Sequence, residues 1–227
     1  MKITIRVLLG LAICLLTYFC IISVVTPIHF EDERTIREEA VVKNLIHLRT
    51  AETEFKAQKG YYTANLDSLV LFLKTTKKKE VHKEGALTDA QLEAGMTEHK
   101  AVKIIQRGNL KEIKANGLEG FRRDTIYNDM IQSLYKGEFT ADNIDKITYI
   151  PFSDNLRFET EVNNNYTDAK GIKVPLLEVR APFETYLADQ DKQELVNLID
   201  KEKKLEHYPG RKFGSVEAPN NLAGNWE

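Results

Sequence analysis

The sequence predicts an α+β protein: an N-terminal transmembrane helix continuing into an amphipathic helix, packed on a small antiparallel sheet with additional helices. Three observations predict it. Residues 7–28 form an apolar run with no charged side chain. Residues 33–59 set apolar side chains at steps of three and four, the period of a one-sided helix. Residues 156–162 alternate Leu156, Phe158, Thr160 and Val162 with Arg157, Glu159 and Glu161, the period of a half-buried strand.

The apolar run is roughly 22 residues long, enough to cross a hydrocarbon core of ~30 Å at 1.5 Å per residue. A cleaved signal would have a shorter apolar region and small residues before the cut. Here Val24-Val25-Thr26-Pro27 offers no such pattern, and the large residues Ile13 and Phe19 precede Cys14 and Cys20, where a lipoprotein signal needs a small one. The expected organisation is therefore a cytoplasmic N-terminus over residues 1–6, a membrane span over 7–28 and an exported domain over 29–227. That is the topology of a single-pass membrane protein with an exported body. Both cysteines lie in the span, so the body has no thiol to oxidise.

Thr26-Pro27 is expected to end or kink the first helix, because proline lacks the N–H and disfavours the α conformation before it. A second helix follows over Glu33–Lys59, its buried stripe made by Val41, Leu45, Leu48 and Phe55 with Ala51 between. Gly60 is its natural stop. Asn65 or Asp67 can cap a short helix over Asp67–Lys74 with Leu66, Leu69, Val70 and Phe72 or Leu73 inward. Lys77-Lys78-Lys79, with Lys74 and Lys83, reads as a solvated basic loop. Contact with anionic lipid or an acidic partner is the minority reading. Thr88 or Asp89 caps a helix to Ala94. Residues 95–120 and 125–134 fit either helix or strand. Ile147–Phe152 reads as a strand, Leu156–Val162 as a second and Ile172–Arg180 as a third, together an antiparallel meander. Ala188–Glu206 is a charged helix capped by Asp189, and Trp226 is placed to pin the tail onto the body.

Composition excludes several classes. With 42% hydrophobic and 29% charged residues the chain is too apolar for a disordered tail. A mean hydropathy of −0.37 excludes a polytopic membrane protein. The 32 basic and 34 acidic residues leave a net charge of −2, so nucleic acid is not an expected partner. The five histidines are scattered and form no HExxH pair. No GxSxG, GxxxxGK[ST] or GxGxxG is present. Asp142, Asn143 and Asp145 lack the glycine and closing glutamate of an EF-hand, and Glu217, Asn220 and Asn221 are weak donors. The expectation is no catalytic residue, no cofactor and no metal.

Two segments carry a resemblance. Asn44–Thr63, ending Ala57-Gln58-Lys59-Gly60-Tyr61-Tyr62-Thr63, is followed by Asp67-Ser68-Leu69. The tail holds Tyr208-Pro209-Gly210, Phe213-Gly214-Ser215 and Gly224-Asn225-Trp226. This arrangement resembles type IV pilins and the pseudopilins of type II secretion. The resemblance implies a non-catalytic structural component of an envelope assembly. Its partners would be membrane lipid through residues 7–28 and other envelope proteins, a second copy of the chain included. The residues it implies for packing or interaction are Val41, Leu45, Leu48, Phe55, Tyr61 and Trp226. The family's processing signal, glycine before phenylalanine or methionine with glutamate at the fifth mature position, is missing: Leu11 follows Gly10, and no glutamate precedes Glu31. A single-pass periplasmic adaptor or sensor unrelated to pilins is the alternative.

Overall fold

The computed structural model of the chain describes the backbone of residues 2–227 and the side chains of residues 7–79, 82–123 and 126–227. In chain order the elements are α1 (Lys2–Lys59), α2 (Leu66–Thr75), β1 (Lys77–Glu84), α3 (Asp89–Glu93), α4 (Glu98–Arg107), α5 (Leu110–Ala115), β2 (Arg122–Asp129), α6 (Met130–Tyr135), a 3₁₀ turn (Ile144–Thr148), β3 (Glu159–Asn163), β4 (Leu176–Pro182), α7 (Phe183–Tyr186), α8 (Lys192–Lys204) and β5 (Gly210–Gly214). The fold is α+β, as expected. Residues 29–227, expected as one domain, contribute to two compact units: the chain up to Phe72 with Ala141–Glu227, and Leu73–Thr140.

The first unit is built on α1. This helix runs through Pro27 without interruption, so the break expected at Thr26-Pro27 and the separate start at Glu33 do not occur. Proline removes one donor from the ladder and crowds the carbonyl of Ser23, a cost of about 3 kcal/mol. A break would strip further N–H and C=O groups in a segment with few polar side chains to replace them. The helix stops at Gly60, whose φ of 86° suits a residue without Cβ and whose N–H donates to the Lys56 carbonyl (2.8 Å). Asn65, not Asp67, caps α2, its Oδ1 accepting from the Ser68 N–H (3.0 Å).

The sheet order is β3-β4-β5, all antiparallel, and α1 packs against β5 and the 3₁₀ turn. The strand expected from Leu156 begins only at Glu159, and Leu156 is exposed; within β3 the alternation holds, with Thr160 and Val162 half-buried and Glu159 and Glu161 exposed. β4 is the central strand and is buried on both sides through Leu176, Leu177, Val179 and Ala181. Its one buried acid, Glu178, accepts from Arg180 (3.0 Å) and Lys212 (3.2 Å).

Ile147–Phe152 is not a strand. Ile147 and Ile150 are buried, but the segment is the end of a 3₁₀ turn with a single bridge between Tyr149 and Arg157. Pro151 cannot donate, and positive φ at Phe152 and Asn155 turns the chain back. The third strand is instead β5. Gly214, at φ 77°, ends it so close to β4 that a Cβ there would lie 2.0 Å from the Leu177 carbonyl oxygen. The charged helix α8 starts later than expected and is capped by Asp191, which accepts from the Gln193 and Glu194 N–H groups. Leu198 and Ile199 are its buried residues, while Leu205 is exposed.

The second unit is a β-ribbon carrying three short helices. β1 and β2 pair antiparallel from Lys77↔Asp129 to Glu84↔Arg122. The lysine run expected as a loop is therefore a strand. Lysine has little β preference of its own, and the partner strand supplies the pairing. Between the strands, α3 is the helix expected after the Thr88 cap, and α4 and α5, capped by Thr97 and Asn109, resolve most of the ambiguous 95–120 stretch as helix. They close on Ala101, Leu118 and Phe121. Arg123 ties ribbon to helices: its guanidinium lies 4.0 Å over the Phe121 ring and donates to the Glu84 carbonyl (2.8 Å) and to Glu98 (3.1 Å). The stretch 125–134 divides between the end of β2 and α6.

One carboxyl in the spine helix carries a pH dependence. Glu52 is buried, and its Oε2 accepts from the Thr63 N–H (3.3 Å), fastening the Gly60–Asn65 turn to α1. Burial pushes its pKa up to about 8. The native state therefore binds a proton that the unfolded chain releases above its ordinary range near 4.5. Its stabilising contribution is complete below that range and is lost as pH rises through about 8. Glu52→Gln is expected to flatten the stability profile between pH 5 and 9 and to stabilise the protein at pH 9 by up to about 5 kcal/mol, at ~1.4 kcal/mol per pK unit between 4.5 and about 8. Urea denaturation at several pH values measures this; parallel profiles for the two proteins would contradict it.

Candidate functional site

The feature that sets this molecule apart is the change of environment along α1. Every large apolar residue from Val7 to Ile21, together with Val24, Val25 and Ile28, stands exposed, and none of the most apolar 18-residue window is buried. This is a helix long and apolar enough to cross a membrane, close to the N-terminus. Two residues beyond Ile28, Phe30 is buried, and the helix then enters the body.

At the entry point the helix is ringed by ion pairs. Arg37 donates through Nη1 and Nη2 to Asp189, at 2.5 and 2.9 Å, and through Nη1 also to the Tyr186 carbonyl (2.9 Å). Its guanidinium also stacks 5.1 Å from the Phe152 ring. A planar fork against a carboxylate is the geometry that arginine supplies and lysine does not. Hydrogen bonding from Arg37 holds the Asp189 carboxyl below its usual range. Glu38, one residue on, lies between two arginines: Arg34 donates to it from the same helix (2.8 Å), and Arg211 of β5 donates through Nε (3.1 Å) and Nη2. Arg34 in turn holds Glu31 at 3.1 Å. Three turns further along, Arg49 donates to the side chain of Glu227 (2.6 Å) and to the Leu222 carbonyl (3.2 Å), and lies 5.8 Å from the Trp226 ring.

The expected packing residues are all located. Val41, Leu45 and Leu48 are fully buried, and Phe55 is nearly so, edge-on to Phe72 (5.0 Å) and Tyr61 (5.7 Å). Tyr61 is about half exposed. Trp226 is half-buried and rests on Gly224, where a Cβ would meet the indole ring at 2.5 Å. The tail is bolted down at Asn225, which donates to the Gly210 carbonyl (2.9 Å) and accepts from the Lys212 N–H (3.1 Å).

The sequence reading missed the charged ring. The sequence reading assigns no pairing to Arg34, Arg37, Glu38, Arg49 or Arg211, and takes Asp189 as a helix cap. The i,i+4 spacing of Arg34 and Glu38 was visible, but the partners of Arg37, Arg49 and Glu38 lie about 150 or more residues away and leave no local signal. Among the described residues no group of three or more His, Cys, Asp or Glu is placed to hold a metal. No protein-family model, no curated protein and no solved structure matches the chain significantly. The likeness to pilins therefore rests on the residues quoted for it.

The arrangement of Glu38 predicts its own test. Removing its carboxylate with Glu38→Ala leaves Arg34 and Arg211 facing each other, both partly buried. The expected cost is about 3 kcal/mol in chemical denaturation. The double variant with Arg211→Ala is expected to recover part of it, and strict additivity would show that the two side chains do not interact.

Proposed function

We propose that the chain is a single-pass, membrane-anchored, non-catalytic structural protein of a bacterial envelope, acting in a pseudopilin-like assembly of a secretion or pilus-type system. Residues 7–28 cross the inner membrane, residues 1–6 lie in the cytoplasm and residues 29–227 lie in the periplasm. The observation that carries this reading is the uncovered apolar stretch of α1 leading directly into a buried spine. A helix that is bare for its first half and packed for its second is both anchor and scaffold. The ion-paired ring supports the same assignment. Charged groups belong at the edge of the hydrocarbon layer, and here the body pairs them with one another.

The absence of the glycine–phenylalanine processing signal and of its glutamate favours a second reading, an anchored periplasmic adaptor that enters no filament. The mass of the membrane-extracted protein separates the two. A chain starting at Leu11 supports pilin-type handling, and a chain starting at Met1 supports the adaptor.

The anchor itself is tested by fractionation. The full-length protein is expected to stay with membranes through alkaline carbonate washing. Leu11→Lys together with Leu15→Lys adds two charges at a cost of about 2.5–3.5 kcal/mol each, and is expected to release it. A soluble wild-type protein shortened by the length of the apolar run would show a cleaved signal and overturn the anchor.

A further inference from the structure

The charge of this chain is divided between its units. Residues 73–140 carry 13 basic and 10 acidic side chains, a formal +3, while the remaining residues carry 19 and 24, a formal −5. A net of −2 conceals this division. Within the basic unit the lysines are ordered by the strand that holds them. Alternate residues of β1 face the same side, so Lys77, Lys79 and Lys83 form one row. Lys77 and Lys79 are exposed, at a repeat of about 6.6 Å. Lys83 is about 13 Å beyond Lys79 and lies 3.7 Å from Glu98. Across the ribbon Tyr127 stands in register with Lys79 and is also exposed. Asp129, the acid in register with Lys77, also caps α6, where it accepts from the Ile131 and Gln132 N–H groups. β1 and β2 form a sheet of two strands only, among the described residues, so β1 keeps an open edge.

We propose that the face of β1 bearing Lys77 and Lys79, with Tyr127 beside them, docks an extended acidic segment of a protein partner. An extended peptide repeats its side chains on one face every 6.6–6.8 Å or so, the same step as the lysine row, so alternate carboxylates meet successive ammonium groups. Tyr127 adds an aromatic surface with a polar tip, a residue type enriched where proteins meet. A lipid headgroup layer needs only a density of positive charge and gains nothing from this spacing. The same lysines would also serve a purely defensive purpose, keeping an open edge from pairing with other chains; that role requires no ligand.

The test uses the full-length chain in zwitterionic nanodiscs and a fluorescent eight-residue peptide alternating glutamate and threonine. A peptide of the same composition with its four glutamates in one block is the comparison. The alternating peptide is expected to bind saturably at about 50 mM salt and several-fold more weakly at about 300 mM. The block peptide is expected to bind more weakly. Lys77→Glu with Lys79→Glu is expected to lower affinity at least tenfold, Lys77→Gln with Lys79→Gln somewhat less, and Tyr127→Ala a few-fold. Circular dichroism checks folding, and the glutamine pair carries the test if the glutamate pair does not fold. No binding overturns the proposal and leaves edge protection. Equal binding of the two peptides reduces it to diffuse charge and overturns it. Vesicles containing phosphatidylglycerol, titrated in parallel, overturn it if they bind the ribbon as tightly as the peptide and lose binding in the same variants.

Discussion

One backbone has to satisfy two surroundings. α1 is a single 58-residue helix whose first half has no protein around it and whose second half is the centre of a folded unit. Its hydrogen-bond ladder is internal throughout, and that makes the double use possible: a helix needs no partner to satisfy its backbone in either place. The side chains then decide which surroundings each stretch accepts. From Val7 to Ile28 they carry no charge and are mostly apolar on every side. From Phe30 they form a stripe, with Val41, Leu45, Leu48, Ala51 and Phe55 buried. The sheet, the turn at Gly60 and the C-terminal tail all take their positions from that stripe.

Where the two stretches meet, the helix carries charges that suit neither a hydrocarbon layer nor a protein core. The body deals with them by pairing. Arg37 is received by Asp189 and the end of α7, and Glu38 by Arg211 of β5. Further on, Arg49 holds the side chain of the final residue. Each bond joins α1 to a segment from the last fifth of the chain. The C-terminal third is thereby fastened to the helix by polar contacts over the buried apolar stripe. Truncating a paired charge here is costly because it leaves its partner desolvated and alone.

Much of this was readable in the sequence, for local reasons. A 3.6-residue period gave the spine helix and its buried face, glycine gave its end, and Thr88 gave the start of α3. The failures also have physical causes. Pro27 reads as a stop, yet the ladder around it outweighs one missing donor. The β-branched stretch from Ile147 to Phe152 reads as a strand because burial selects the same residues in a buried turn. The lysines of β1 read as a loop because strand formation there depends on β2, about 40 residues away. The ring of ion pairs was invisible because pairing between residues roughly 150 or more apart leaves no periodicity.

The central claim, that the bare apolar stretch and the buried spine are one unbroken helix, is open to a distance measurement. Spin labels at Val25 and Ala57, in a chain with Cys14 and Cys20 replaced by alanine, bracket Pro27 and the whole buried stripe. Thirty-two residues of α-helix separate them, about 48 Å at 1.5 Å per residue. Double electron–electron resonance on the protein in bilayer nanodiscs is expected to give one narrow distribution centred near that value. A broad distribution, or one centred at a much shorter distance, would mean that the helix breaks at Thr26-Pro27 and that a hinge joins the apolar stretch to the body.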